Sequence, residues 1–486
     1  MSNLSELLPA GSSVKSSDFV AQGTLSSGLA VALRSDGKVE AITQTNNVET
    51  LGNSAQAGTQ STQFFASAFD ATSNRFLIAY RDASNNNYGT MRSATISGST
   101  LTFGNPYTFL SSNLQSYVAL AYHPNSGKTF LGYQDLADSN KGKGRMVTVS
   151  NTGAISYGTI YQFANYVYGS RYSACYDATS GNVLVVYADG GADAHGIVAS
   201  INGNTILYGS AVTAATENTQ WVKCIATTGG QVAISYDFGG VAKFVIGTIS
   251  GTAITWSNTI VTTMNIDTDG WDSTYDPVAQ KIIFVGSNAS ASYYPSYRIG
   301  TVSGSGTGAS ISWSGPTVFI SSGLFYVRVA YIPGSNTYAI SWRLANNTYQ
   351  VYGATLSGTT FSFPAAAKVM TTVGNIFAPT LAVDTTQTKV GMFLGSGSNA
   401  NRLYGASFSP TYTSTNVTSF VGITDQAISS AATGKVVCKG GAITNGNLSL
   451  VINSVYYVQD NGTISTSSTS TKAGTALSST TLLLTG

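Results

Sequence analysis

An all-β fold, a seven-bladed β-propeller inserted into a small discontinuous β-domain formed by both chain ends, is what the amino-acid sequence predicts. Three observations predict it: a composition of strand and turn residues, a hairpin signature that recurs at a fixed spacing, and a likeness between the segments outside the repeats.

Composition comes first. Of 486 residues 9% are charged, where a soluble protein has about 25%. Thr, Ser, Val, Tyr and 52 Gly dominate over the helix formers Glu, Lys and Leu, a vocabulary of strands and turns. The 21 acidic and 23 basic residues nearly cancel and form no block of one sign, which excludes the electrostatic footprint of a nucleic-acid binder. No basic segment followed by an apolar one opens the chain, and no apolar run is long enough to span a bilayer. The expectation is therefore synthesis and folding in the cytoplasm without membrane insertion.

The repeat gives the architecture. Phe69 and Tyr80, Tyr122 and Tyr133, Tyr176 and Tyr187, Ile225 and Tyr236, Tyr275 and Gly286, Tyr331 and Trp342, and Val383 and Leu394 are each 11 residues apart. Between them lie segments such as "DATSGNVLVV", a turn-forming half followed by an apolar half, the pattern of a β-hairpin. A second signature, such as "ATISGSTLTF" from Ala94 or "ATLSGTTFSF" from Ala354, follows six of the seven hairpins and reads as two more strands around a Gly turn. The turn positions Asp70, His123, Asp177, Ala226, Asp276, Ile332 and Asp384 are separated by 53, 54, 49, 50, 56 and 52 residues. Four strands per repeat at that period describe a propeller blade, which buries its faces only against its neighbours. The aromatic repeat positions are expected in the core between blades. The seventh repeat lacks its last strand, and "KVEAITQTNNVETL", between Val39 and Leu51, is expected to supply it and close the ring.

The ends pair by wording. "GTLSSG" from Gly23 parallels "GAITNG" from Gly441, and "RSDGKVEAI" from Arg34 parallels "VQDNGTISTS" from Val458. Residues 1–55 and 421–486 are expected to form one β-domain, with residues 56–420 as the inserted propeller. "SDFVAQGTLSSGLAVALRSDGKVEAI", "FVGITDQAISSAATGKVV", "YYVQDNGTISTSS" and "KAGTALSSTTLLL" together resemble flanking modules of tail-fibre-like and other structural proteins of marine tailed bacteriophages. That resemblance covers the terminal quarter of the chain. It implies a virion component, on the tail rather than the head, whose terminal modules pack against other virion proteins while the propeller faces outward, and it carries no catalytic motif.

Chemistry is sparse. There is no Gly-rich phosphate loop, GxSxG elbow, HExxH helix or EF-hand loop, nor the Ser-x-Asp-x-Gly-x-x-x-Trp box of sialidase-like propellers. The chain is therefore expected not to be an enzyme and to need no cofactor or metal. Asp267, Asp269 and Asp272 form the densest acidic group. They are read as solvated loop carboxylates, with calcium binding as the alternative and catalysis last. Cys175, Cys224 and Cys438, far apart in sequence, are expected as buried thiols outside any disulfide, and His123 and His195 as solvated surface residues. Tyr293, Tyr294 and Tyr297 in one connection, and Tyr161, Tyr166, Tyr168, Arg171 and Tyr172 in another, offer flat apolar faces with polar tips. These suit stacking on sugar rings, blade packing being the alternative, and the candidate ligand residues are Tyr293, Tyr294, Tyr297, Tyr166, Tyr168 and Tyr172. The expected function is a tail-associated fibre or adhesin whose propeller contacts a host surface glycan. A head-surface fibre or capsid decoration protein is the first alternative, and a propeller glycosidase acting on surface polysaccharide the second. Weak affinity per copy calls for multiplicity, so a homo-oligomer, in the simplest case a trimer, is expected, without a coiled-coil heptad to enforce it.

Overall fold

The hairpin turns show how local chemistry sets the architecture. In the computed structural model, which describes residues 15–46, 49–114, 118–168, 172–321, 324–363, 366–370, 375–397, 400–410, 413–459 and 461–485, Asp70 accepts hydrogen bonds from the backbone N–H of Ser73 at 2.9 Å and its hydroxyl at 3.0 Å. Asp177, Asp276 and Asp384 cap their turns in the same way. At the second turn His123 takes the Asp position, its Nδ1 accepting from Ser126 N–H at 3.1 Å. The residue that re-enters the second strand is left-handed in every one of these hairpins, from Asn74 (φ 53°) and Gly127 (φ 64°) to Thr388 (φ 53°), which lets a turn of this length rejoin an antiparallel ladder.

Each hairpin begins with an inner strand: β1 (Ala55–Asp70), β2 (Ala119–His123), β3 (Tyr172–Asp177), β4 (Gln220–Ala226), β5 (Val261–Asp276), β6 (Leu324–Ile332) and β7 (Ile376–Asp384). Every inner strand pairs antiparallel with the strand after its turn, which pairs with the next. Second strands read as continuous apolar runs because both of their faces are covered; Asn182–Ala188 is buried along its whole length. Successive inner strands lie beside one another, and β7 lies beside β1. An apolar cluster fills each junction, as where Leu77, Ala79 and Met91 meet Leu131, Tyr133 and Val147, and Phe76 and Ile78 meet Phe393. Tyr80, Tyr133, Tyr236 and Trp342, at the aromatic repeat positions, are fully buried, each side chain stabilising its junction by about 1.5–3 kcal/mol. The arrangement is all-β and propeller-like. No helix among the described residues is long and apolar enough to cross a membrane.

The last sheet is completed by the end of the expected segment, Thr50–Leu51, and by residues beyond it, while the rest of that segment pairs elsewhere. Val39–Ala41 pairs with Ala30–Leu33 and Ser16–Gln22, and Gln44–Asn46 with Thr413–Thr415. The strand Arg402–Ser409 is instead covered by Thr50–Leu51 and by the start of β1, where Ala55 faces Gly405, Gln56 faces Tyr404 and Ser61 faces Arg402. β1 is 16 residues long, so its first half serves one sheet as outer strand and its second half the next as inner strand. β5, equally long, does the same between the fourth and fifth sheets.

The chain divides into two compact units, residues 48–411 and residues 1–47 with 412–486, so the borders lie several residues before the expected 55 and 420. In the second unit Ser16–Gln22, Ala30–Leu33, Val39–Ala41, Phe420–Thr424 and Thr433–Cys438 close a five-stranded barrel around Leu25, Val31, Val421 and Val436. Ala442–Thr444, Val455–Val458, Ile464–Ser465, Lys472–Ala476 and Thr481–Leu484 form a further five-stranded sheet. The two segments read as parallel make matching hairpins, Arg34 N–H donating to Lys38 at 2.9 Å and Gln459 N–H to Thr463 at 2.8 Å, with Gly37 (φ 80°) and Gly462 (φ 80°) left-handed.

Candidate ligand site at the channel mouth

The inner strands are not regular. The ladder skips two residues between Gln63 and Ala66 on β1, Gln220 and Lys223 on β4, Phe325 and Arg328 on β6, and Phe377 and Thr380 on β7, and skips further between Ile266 and Trp271 on β5. In four of these bulges the first skipped residue is left-handed: Phe64 (φ 57°), Trp221 (φ 52°), Tyr326 (φ 57°) and Ala378 (φ 44°). Three are large aromatic residues in a conformation that bulky side chains avoid. Such strain costs about 1–3 kcal/mol per residue and gathers where function fixes the backbone. A bulge also re-aims its side chain, and here it leaves Phe64, Trp221 and Tyr326 half-buried instead of packed inside a sheet.

Beyond the bulges the inner strands line a cavity of about 380 Å³. One equivalent residue per strand, four before the turn (three in the fourth repeat), reads Ala66, Ala119, Ser173, Lys223, Asp272, Arg328 and Thr380. Its charges are knitted together. Lys223 Nζ lies 3.0 Å from Asp272 Oδ1, donates to the Trp271 carbonyl at 2.7 Å and sits 4.8 Å from the centre of the Trp271 ring. Arg328 donates from Nε to Pro379 O at 2.9 Å and from Nη1 to Trp271 O at 3.3 Å, and Val329 N–H donates to Asp272 Oδ2 at 3.4 Å. Asp272 is the one carboxylate among the residues lining this cavity, and its partner is an ammonium.

A smaller recess of about 190 Å³ is lined by Gln63, Phe64, Tyr326, Phe377, Ala378 and Asn401 and shares Ala378 with the larger cavity. The Arg81 guanidinium lies 4.7 Å from the centre of the Phe64 ring, and that of Arg343 lies 4.7 Å from Phe325 and 4.9 Å from Tyr326.

The tyrosines singled out in the sequence separate. Tyr293 is 48% exposed and left-handed (φ 61°), and Tyr166 and Tyr168 are 39% and 43% exposed, so these three do present rings. Tyr294, half-buried, opens the strand Tyr294–Ser303. Tyr297 and Tyr172 present no ring at the outer surface, although Tyr172 is among the residues lining the larger cavity. The Tyr297 hydroxyl accepts from Phe361 N–H at 3.1 Å with its ring 4.8 Å from that of Phe361, and Tyr172 accepts from Gln134 N–H at 3.3 Å. Both lie within strands rather than loops, and strand alternation turns them into the core. Tyr161 is partly buried in the strand Tyr161–Ala164, and Arg171 lies outside the described residues.

Other expectations are corrected. Asp267 and Asp272 lie on β5 rather than in a loop, Asp272 holds Lys223 rather than facing solvent, and the Asp269 side chain lies outside the described residues. His123 is 1% exposed, its Nε2 bonded to Gly181 O at 2.9 Å and its Nδ1 to Ser126 Oγ at 2.9 Å. His195 stacks on Tyr187 at 5.5 Å and meets Asp189 at 3.2 Å and Thr213 at 3.3 Å. His123 ties its turn to the next sheet through Gly181, whereas His195 ties together segments of its own sheet. Cys224 and Cys438 are buried and Cys175 half-buried. Cys175 and Cys224, distant in sequence, are spatial neighbours on β3 and β4: the hydrogen bond to Cys224, then burial, raises the Cys175 thiol well above its ordinary range. The bulge aromatics and the Lys223–Asp272–Arg328 set escaped notice in the sequence, although reading four residues back from each turn, three in the fourth repeat, displays three charges among small residues.

No family model matches the chain, and no curated protein matches it. Among solved structures it is similar to AofleA from Arthrobotrys oligospora (11% identity over 72% of this chain and 96% of that one, TM-score 0.42). It is also similar to the Hadza microbial sialidase Hz136 (9% identity, 76% and 69%, TM-score 0.38) and to the polysaccharide lyase Uly1 (8% identity, 74% and 99%, TM-score 0.45). At these values the likenesses carry no argument about function.

Proposed function

We propose that the chain is a non-catalytic recognition protein of a tailed-phage virion, a tail-associated fibre or adhesin. In this reading a seven-bladed propeller, inserted into a β-domain built from both chain ends, binds a surface saccharide at one mouth of its channel. The observation that carries it is the set of left-handed aromatic residues, Phe64, Trp221 and Tyr326, on inner strands around two cavities that share Ala378. Aromatic faces at a concave mouth suit the C–H faces of sugar rings, and backbone strain gathers at binding sites. Glycosidase chemistry is disfavoured because two carboxyl groups a few ångströms apart are needed, while Asp272 is the cavity's one carboxylate and is tied to Lys223. Anchoring by the terminal unit is supported by Val451, Ile452 and Leu477, 66%, 57% and 53% exposed on two segments joined by backbone hydrogen bonds, an apolar patch of the kind that marks a protein contact.

The test is binding of the full-length chain, displayed multivalently, to host cells and purified host polysaccharide, with a reducing-end assay alongside. Binding without release of reducing ends, lost in Phe64→Ala and Tyr326→Ala with the melt retained, is the expected result. Release of reducing ends moves the reading to a glycosidase, and no binding in multivalent form moves it to a head-surface structural role.

A further inference from the structure

The small recess carries more than apolar rings. The positions opposite Gln63 on β1, Phe325 on β6 and Phe377 on β7 are equivalent, and they hold Arg81, Arg343 and Gly395. Two arginines thus flank a sheet that has no side chain at the same place. Gly395 is required there, because a Cβ would come within 2.2 Å of the Phe377 ring, so Phe377 lies over the glycine and forms the floor. The small Ala378 lines both this recess and the larger cavity.

The arginines are not in ion pairs among the described residues. Arg81 donates to Gln63 Oε1, and Arg343 donates from Nη1 to Ile376 O at 3.0 Å. The Nε of each is buried without a hydrogen-bond partner. Burial lowers both guanidinium pKa values, the Asp267 charge acting the other way on Arg343. Asp82, next to Arg81, bonds instead to Ser84 N–H at 3.1 Å, and burial raises its own pKa. Partly desolvated cations are costly in a chain this poor in charge, and an anionic ligand at their terminal nitrogens offsets that cost, the buried Nε atoms staying out of its reach.

We propose that this recess binds the acidic unit of a saccharide, a hexuronate whose ring lies against Phe64, Tyr326 and Phe377 while its carboxylate reaches past the lining to the guanidiniums of Arg81, against Phe64, and Arg343, against Tyr326. This rests on the reading of the channel mouth as a saccharide site and names the class of sugar. The planar guanidinium fork matches a carboxylate, Gln63 and Asn401 supply amide groups for hydroxyls, and the volume suits one ring with the chain continuing over the larger cavity.

The experiment is calorimetric titration of the full-length chain with oligogalacturonate and with the same oligosaccharide after carboxyl reduction to the neutral sugar. Expected is binding of the acidic form at least tenfold tighter than the reduced form, with Arg81→Gln and Arg343→Gln each weakening it by about tenfold, as for a lost charge-assisted hydrogen bond. Arg81→Lys, which keeps the charge and loses the fork, falls between. Thermal melts confirm that each variant is folded. Equal affinity for acidic and reduced forms, or acidic binding indifferent to both arginines, overturns the inference and leaves saccharide recognition standing; failure of both sugars, and of a neutral and acidic glycan panel, overturns both.

Discussion

At Phe64, Trp221 and Tyr326 the backbone is left-handed, so the residue best suited by conformation is glycine and the residue present is aromatic. That conflict separates stability from function. At such a site glycine is favoured over alanine by about 1–2 kcal/mol, because the Cβ meets the following carbonyl. Tyr326→Gly is therefore expected to melt above Tyr326→Ala, while both lose ligand. If alanine proves as stable as glycine, the strain is not there. The thiols offer a second check at this scale. With the Cys175 pKa raised by its hydrogen bond to Cys224 and by burial, and that of Cys438 raised by burial, less thiolate is present at pH 8 than in an unperturbed cysteine. Native protein should react with a disulfide reagent far more slowly than urea-unfolded protein, and a fast native phase would contradict the placement of these thiols.

Hairpins are the element through which the repeat was legible, and also where reading by type failed. Phe69 to Tyr80 and its counterparts could be counted because a turn of constant length fixes the register on both sides. The bulges could not, because a skipped pair inverts inward and outward alternation without changing composition. That is why Asp272 reads as a loop carboxylate; Tyr297 and Tyr172 lie on regular ladders. His123 failed for another reason: its role depends on Gly181, 58 residues away on the next sheet. The turn caps do this repeatedly, Asp70 reaching Thr129 at 3.4 Å and Asp276 accepting from the Tyr338 hydroxyl. His123→Ala removes the cap and the link, and about 1–3 kcal/mol of stability is expected to go with a buried hydrogen-bonded group. His123→Asp restores the local cap alone and should recover part of the loss. Equal melts for the three proteins would show that the link between sheets is idle.

Across the whole molecule, closure and burial act together. The tyrosines between sheets stay neutral because burial removes water from their hydroxyls; Tyr80 and Tyr187 are pushed up to about 12, the nearby Asp189 adding to the effect at Tyr187. A pKa raised on folding gives stability that is complete below the unfolded value, about 10, and is lost as pH rises through the folded value. The melting temperature should therefore fall steeply between pH 10 and about 12, with tyrosinate absorbance appearing together with unfolding. Early tyrosinate in a folded chain would refute that burial.

Ring closure supplies the last test, since an open ring exposes the apolar junction between Phe76 and Phe393 and leaves the strand Arg402–Ser409 as an edge. The sequence pointed to a segment of which only the end, Thr50–Leu51, pairs with this strand, the rest of the pairing coming from Ala55–Ser61 beyond it. A missing fourth strand is visible as lost pattern, but Thr50–Ser61 can supply it only because β1 continues into the next sheet, a dual use that period and composition do not encode. Gln56 is a suitable probe, as it pairs with Tyr404 and its Oε1 accepts from that hydroxyl at 2.7 Å. Proline there interrupts the ladder. Gln56→Pro is expected to speed amide exchange in 402–409 and to lower the melt of residues 48–411, whereas Val39→Asp, in the terminal barrel, should speed exchange in 30–41 and 420–438 and leave 402–409 protected. The reverse pattern would move the closing strand to Val39–Ala41.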